Sequence, residues 1–189
     1  MNDKYVVYYN YLKERSKIGL WYRKLWLYPQ ICKHIRGRVL DIGCGIGDLL
    51  DYKPTTIGVD INPLLVEHCI KRGHRVLNMS DDQLPFKRET FSSAFLDNVL
   101  EHIEKPERLI REIHRVLDED GVLIVGVPCE KGYSYDPDHK IFYEKSSLRD
   151  VFESRGFTEM STRIMPLNIP ILGRLISPFC LYSTFVKCS

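Results

Sequence analysis

The sequence has almost no net charge: 27 Lys and Arg stand against 25 Asp and Glu, a formal +2. A surface built mainly for nucleic acid needs a basic excess, so no nucleic-acid partner is expected, although a local basic patch can hide inside the balance. The cysteines, at positions 32, 44, 69, 129, 180 and 188, include no C-x-x-C pair and no evenly spaced framework. That argues against a zinc or redox motif and against a disulfide scaffold, and reduced thiols in a cytoplasmic protein are expected. The opening MNDKYVVYYNYLKER has no apolar core of the kind a secretory signal needs. Nor does any apolar run reach the roughly 20 residues of a spanning helix. The stretch from Met165 to Val186 is rich in Leu, Ile and Phe, but Pro166, Pro170, Arg174 and Pro178 break it. No transmembrane segment is expected, which leaves peripheral lipid contact open. Internal repeats and low-complexity tracts are absent as well.

What is there is an ordinary globular composition, 189 residues with 44% apolar and 28% charged. A chain of this length buries roughly 70% of its unfolded surface, enough for one domain without staples. From Gly37 onward short apolar runs alternate with amphipathic segments, the mark of βαβ units on a mostly parallel sheet. Strands are expected at Arg38–Ile42, Thr56–Ile61, Arg75–Met79, Ser93–Val99 and Val122–Val127. Two more are expected at Thr158–Met165 and Tyr182–Lys187, which makes seven. Asn62 followed by Pro63 reads as a helix start with its stop at Gly73, and residues 109, 110, 113, 116 and 117 form one helical stripe. Ser147 with Asp150 resembles a capping box opening a helix that ends at Gly156. Residues 18–35 read as helix interrupted near Pro29. The expected organisation is a single domain: a helical cap over 1–36, a cofactor-binding core over 37–157, and two last strands with an apolar insertion over 158–189.

The first strand runs into Asp41-Ile42-Gly43-Cys44-Gly45-Ile46-Gly47, where glycines permit a sharp turn and close approach of a ligand to the backbone. In an open α/β sheet, ligands lie at the carboxyl ends of the strands. Asp60 ends the second strand, where a carboxylate accepts hydrogen bonds from the two hydroxyls of a ribose. A glycine loop is also found in dinucleotide enzymes, but there the spacing is G-x-G-x-x-G, not the G-x-G-x-G found here. Asp41, two residues before the first glycine, would repel a pyrophosphate and attract an ammonium.

The ordered motifs VLDIGCGIGD (39–48), GVDINP (58–63), LPF (84–86), FLDNVLEHI (95–103) and RVLDEDGVLIVGVP (115–128) resemble the class I S-adenosylmethionine-dependent methyltransferases, most of all their small-molecule branch. The match covers about residues 37–157. The resemblance implies a Rossmann-like, seven-stranded, mostly parallel α/β sheet with helices on both faces, its last strand antiparallel, and S-adenosylmethionine as cofactor. It places Asp41, Gly43, Cys44 and Gly45 along the methionine and ribose, Asp60 on the ribose hydroxyls and Ile61 against adenine. The family's adenine-binding aspartate falls on Ser80 here, so either Asp81 takes the role with a register shift or Ser80 does with a backbone amide. Asp120 stands where the family commonly has glycine. Asn98 is expected beside the transferring methyl or the amino-acid moiety.

His102 is the best-placed candidate general base, an imidazole able to take a hydroxyl proton near neutral pH; the alternative is that it only orients its loop. Asp136-Pro137-Asp138-His139 has metal-ligand chemistry but reads as a solvated turn, so no metal is expected. His139 itself remains a candidate to face the substrate. The other histidines, 34, 68, 74 and 114, read as surface or packing residues. The reaction implied is methyl transfer to a small-molecule acceptor, with a hydroxyl as the expected nucleophile. An Asn-Pro-Pro-Tyr-type amine signature is absent, since the matching positions read Asp97-Asn98-Val99-Leu100. The aromatic N-terminal region and residues 166–180 are expected to cover the pocket. An NAD-dependent oxidoreductase and a catalytically silent S-adenosylmethionine-binding partner protein are the alternatives.

Overall fold

A computed structural model describes residues 3–80, 83–134, 136–165 and 180–188. The chain begins with α1 (Asp3–Lys13) and α2 (Lys17–Tyr22), passes through a π-helical turn (Arg23–Leu27) into α3 (Tyr28–Ile31), and closes with a 3-10 turn (Cys32–His34). Pro29 lacks the N–H that would bond the Leu25 carbonyl, and the widened turn sits just ahead of it. The expected interruption is therefore a change of helical pitch, with Pro29 in the first turn of α3.

The sheet then builds from β1 (Val39–Ile42), α4 (Asp48–Tyr52), β2 (Ile57–Asp60), α5 (Pro63–Lys71), β3 (Arg75–Asn78) and β4 (Phe91–Asp97). A 3-10 turn (Leu100–His102), α6 (Glu107–Val116), β5 (Leu117–Pro128), α7 (Glu130–Tyr133), α8 (Lys145–Glu153), β6 (Phe157–Met165) and β7 (Cys180–Lys187) complete it. The seven strands run in the order β3-β2-β1-β4-β5-β7-β6, with β7 antiparallel to both its neighbours and the other central pairs parallel. The α/β sheet, its seven strands and its antiparallel last strand are those anticipated.

The strand period of two sorts β1, β4 and β5 into two faces. Leu40, Ile42, Leu96, Leu123, Val125 and Val127 join the core with α6 and α8 residues such as Ile110 and Phe152. Phe95, Val122, Ile124 and Tyr182 meet Leu27, Tyr28 and Ile31 from the N-terminal helices on the other side. Asp41 and Asp97 share parity with Phe95, so they too point toward the N-terminal helices. Asn62 caps α5 as expected, its Oδ1 accepting from Leu64 N at 3.0 Å.

Two expectations need correction. The capping box of α8 is Glu144 with Ser147, not Ser147 with Asp150, because Glu144 occupies the cap and Ser147 reaches back to its N–H at 3.0 Å. Leu117 leaves the α6 stripe and opens β5, opposite Phe91. Asp120 adopts φ +59, the conformation that favours glycine and explains the family's usual residue there. All six cysteines are free. Among the described residues no helix is long and apolar enough to cross a membrane. The proposed pocket cover at 166–180 lies outside the described residues except for Cys180, which opens β7.

Candidate active site

The glycine loop leaves β1 with its first two amides tied to the next strand: Gly43 N and Cys44 N both donate to Val59 O, at 2.9 and 3.0 Å. Gly43 has φ +70, and a Cβ there would overlap Val99. Gly45, at φ +55, donates its N–H to Asp60 Oδ2 at 2.9 Å, and Asn62 N donates to Oδ1 at 2.9 Å. Asp60 is thus fixed by backbone donors alone, and its oxygens keep lone-pair capacity. Burial holds its carboxyl above the usual range, while the amides of Asn62, Gly45 and Ile61 pull the other way. Cys44 is buried with its sulfur against Gly58, and Ile61 stands exposed just past Asp60.

Helix α1 lies across this loop. Leu12 is buried against the Gly45 position, and the Tyr5 carbonyl accepts from Asn62 Nδ2 at 3.0 Å. Tyr9 OH meets His68 Nδ1 at 3.2 Å. Tyr8 sits between the two halves of the site: its hydroxyl pKa is raised by burial and by the charges of Asp60 and Glu101, and its ring stands edge-on to His102 at 6.4 Å.

Behind the loop lies a buried polar network. Arg23 reaches from the π turn to Asp97 Oδ2, with Asp48 at 3.7 Å on its other side. Tyr182 OH and Asn98 Nδ2 donate to Asp97 Oδ1, each at 2.9 Å. Arg15 pairs with Asp48 at 2.8 Å. A Cβ at Gly126 would overlap both Asp97 and the Tyr182 ring, so glycine makes the room for this contact. Burial and the neighbouring Asp97 push the Asp41 carboxyl well up, against the opposing charge of Arg23.

Beyond β4, Asn98 turns the chain at φ +54, donating its N–H to Gly126 O at 2.9 Å. The 3-10 turn that follows sends Glu101 inward, 1% exposed, and leaves His102 half-buried. The Glu101 carbonyl accepts from Lys140 N and Ile141 N at 2.7 and 3.1 Å, which ties the loop after β5 to this turn. His139 therefore comes beside His102, ring centroids 4.8 Å apart. Burial, and then His139, lower the His102 pKa, so the ring is neutral near pH 7. Burial raises the Glu101 carboxyl to about 8.

The structure gathers Asp41, Gly43, Cys44, Gly45 and Asp60 at one sheet edge, with Ile61 beyond them and Asn98 and His102 on the adjoining side. Ser80 stands apart on an exposed bridge with Gln83 after β3, and Asp81 lies outside the described residues. Sequence reasoning assigns no individual role to Arg23, Glu101, Tyr8 or Tyr182. Arg23, Tyr8 and Tyr182 lie outside the resemblance, and Glu101 was hidden by its neighbour His102. A depression of about 280 Å³ lined by Arg36, Gly37, Ser92 and Asp118 sits at the amino ends of β1 and β4, the wrong end of the sheet for this chemistry.

A parallel sheet with this strand order, a glycine loop after β1 and a carboxylate ending β2 defines the class I S-adenosylmethionine-dependent methyltransferase fold. Residues 40–125 match the methyltransferase-domain family, and S-adenosylmethionine is the cofactor this likeness supports. An uncharacterized protein of Methanocaldococcus jannaschii is 38% identical over 126 residues, 66% of this chain and 60% of that one. A tRNA (carboxymethyluridine(34)-5-O)-methyltransferase of Arabidopsis thaliana is 33% identical over 94 residues, 47% of this chain and 23% of that one. A solved S-adenosylmethionine-dependent methyltransferase of Thermotoga maritima, described as a possible histamine N-methyltransferase, superposes with TM-score 0.73 at 23% identity, covering 97% and 99% of the two chains. The chain spans between about a third and three fifths of the length of the first curated relatives it matches.

Proposed function

We propose that this chain transfers the methyl group of S-adenosylmethionine to a hydroxyl of a small-molecule acceptor, with His102 taking the hydroxyl proton. The observation that carries the cofactor half is Asp60: a buried carboxylate at the sheet edge whose two oxygens are held by Gly45 N and Asn62 N with capacity left for a vicinal diol. Gly43, Cys44 and Gly45 would line the ribose and methionine, Asp41 and Asn98 would face the amino-acid end, and Ile61 would border adenine, a role the structure does not favour for Ser80, which stands apart. Bound S-adenosylmethionine supplies an electrophilic methyl on a sulfonium, so the protein's work is to align the acceptor, exclude water and remove one proton. Tyr8 and α1 exclude water from above. His102 Nδ1 lies 3.3 Å from the Asp138 carbonyl, which can only accept, so the proton sits on Nδ1 and the Nε2 lone pair is left for the acceptor.

Asp60→Ala is expected to weaken S-adenosylmethionine binding by about 1.5–3 kcal/mol, the worth of hydrogen bonds to a charged group. Titration calorimetry on the folded variant checks this; unchanged affinity removes Asp60 from the ribose. S-adenosylhomocysteine should raise the melting temperature by mass action, and NADH should not. The reverse pattern would return the oxidoreductase reading, and cofactor binding with no turnover on any acceptor would favour the silent partner.

A polynucleotide acceptor is the second reading. Residues 13–38 contain eight Lys or Arg against one Glu, and with Arg15 and Arg23 paired to Asp48 and Asp97 six remain for a local patch; the Arabidopsis relative is named for a tRNA methyl transfer. Binding to bulk tRNA that falls steeply with salt would favour it over the small molecule.

A further inference from the structure

We propose that Glu101, His102 and His139 form a binding site for a single first-row divalent cation beside the cofactor face. The site goes beyond the methyl-transfer reading and does not depend on the identity of the acceptor.

Glu101 carries the argument. It is 1% exposed, and among the described residues neither carboxyl oxygen has a hydrogen-bond partner. A buried carboxyl group left in that condition is costly, whether it ionises or holds a proton that has no acceptor, unless something positive or polar meets it. His139 Nε2 stands 3.8 Å from Oε1, too far for a hydrogen bond. One ligand atom from each of Glu101, His102 and His139 falls within 4.8 Å of the others. Bonds of about 2.0–2.2 Å to a common ion bring such atoms to roughly 3.3–3.5 Å of one another, so the cluster closes further when it holds one.

The second observation concerns the imidazoles. His139 Nδ1 lies 2.8 Å from the Tyr133 carbonyl, and His102 Nδ1 lies 3.3 Å from the Asp138 carbonyl. A carbonyl oxygen only accepts, so both rings carry their proton on Nδ1 and keep a bare lone pair on Nε2. A metal-binding histidine is held in this manner, with its far nitrogen donating to a carbonyl and the near one free to ligate. Two imidazoles and one carboxylate favour the zinc, cobalt, nickel and iron group of ions over magnesium or calcium, which prefer all-oxygen shells. A backbone tie holds the cluster together: the amides of Lys140 and Ile141 donate to the Glu101 carbonyl, joining the loop that bears His139 to the turn that bears Glu101 and His102. The cation and a proton compete for the same His102 lone pair, so ligation and proton transfer by that ring exclude one another.

The probe is Co²⁺, added to the chelator-treated full chain and followed by visible absorption, with Zn²⁺ as competitor and Mg²⁺ as control. The expected result is saturation at one Co²⁺ per chain, displacement by Zn²⁺ and none by equimolar Mg²⁺. Glu101→Gln and His139→Gln should each weaken Co²⁺ binding at least tenfold while the metal-free variants keep the wild-type circular dichroism spectrum. His102→Gln provides a third independent reading should Glu101→Gln fail to fold. Absence of saturable one-to-one binding overturns the site. Binding that the folded variants leave unchanged also overturns it, since the ion would then sit elsewhere.

Discussion

Replacing Asp97 by alanine is expected to lower the free energy of unfolding by about 3 kcal/mol, near the lower end of what breaking a buried ion pair costs. The variant leaves the Arg23 guanidinium without its main counter-charge and the Tyr182 and Asn98 donors without their acceptor. Two features hold the loss at the lower end. Arg23 is about one-fifth exposed, with Asp48 still 3.7 Å away, and removing Asp97 relieves the charge that pushes up Asp41. Asp97→Asn keeps hydrogen-bonding capacity without the charge and should fall between the two. Urea unfolding at constant m value measures all three proteins. A loss below about 0.5 kcal/mol, the range of ordinary surface changes, would mean that Asp48 alone serves Arg23.

His102→Ala should reduce turnover by about 10²–10⁴-fold, the usual contribution of a positioned general base. The measurement belongs in chelator-treated protein, where no ion competes for Nε2. Affinity for S-adenosylhomocysteine should be unchanged, because Asp60 and the glycine loop do not touch this ring. The loss should shrink as pH rises, since the acceptor hydroxyl then ionises unaided. Turnover near wild type at neutral pH would leave alignment as the whole mechanism, and a loss of cofactor affinity would make His102 a support of its loop.

Much of this was legible in the residues, and the reason is local. The buried runs that became β1, β2, β4 and β5 are apolar on both faces, so their type and order follow from pattern. Asn62-Pro63 is a cap that needs no tertiary partner. Misreadings arose where two local solutions competed. Ser147 can cap a helix or sit at its third position, and Glu144 three residues earlier decided for the latter. Glu107–Val116 and β5 meet at Leu117 without a breaker, so periodicity ran one residue too far. The site divides likewise. Asp41, Asp60 and the glycines can be read because they lie in short motifs tied to strand ends. The pair Arg23–Asp97 spans 74 residues of sequence, and nothing near Arg23 marks it for that partner. Glu101 escaped for a different reason: its importance is that it has no donor among the described residues, which no sequence can display.

β6 emerges from the ribosome ahead of β7 yet lies outside it in the sheet, so none of its ladder can form until residues 180–187 have been made. Until then β5, with Val122, Ile124 and Val125 among its residues, presents a bare edge where β7 will pair. At synthesis rates of about 5–20 residues per second the interval from Met165 to Lys187 lasts about one to four seconds. An unpaired edge of this kind is a template for another chain. Substitutions that weaken β7 should therefore show first in the yield of unaggregated protein, before they show in the melting of molecules that have already closed the sheet.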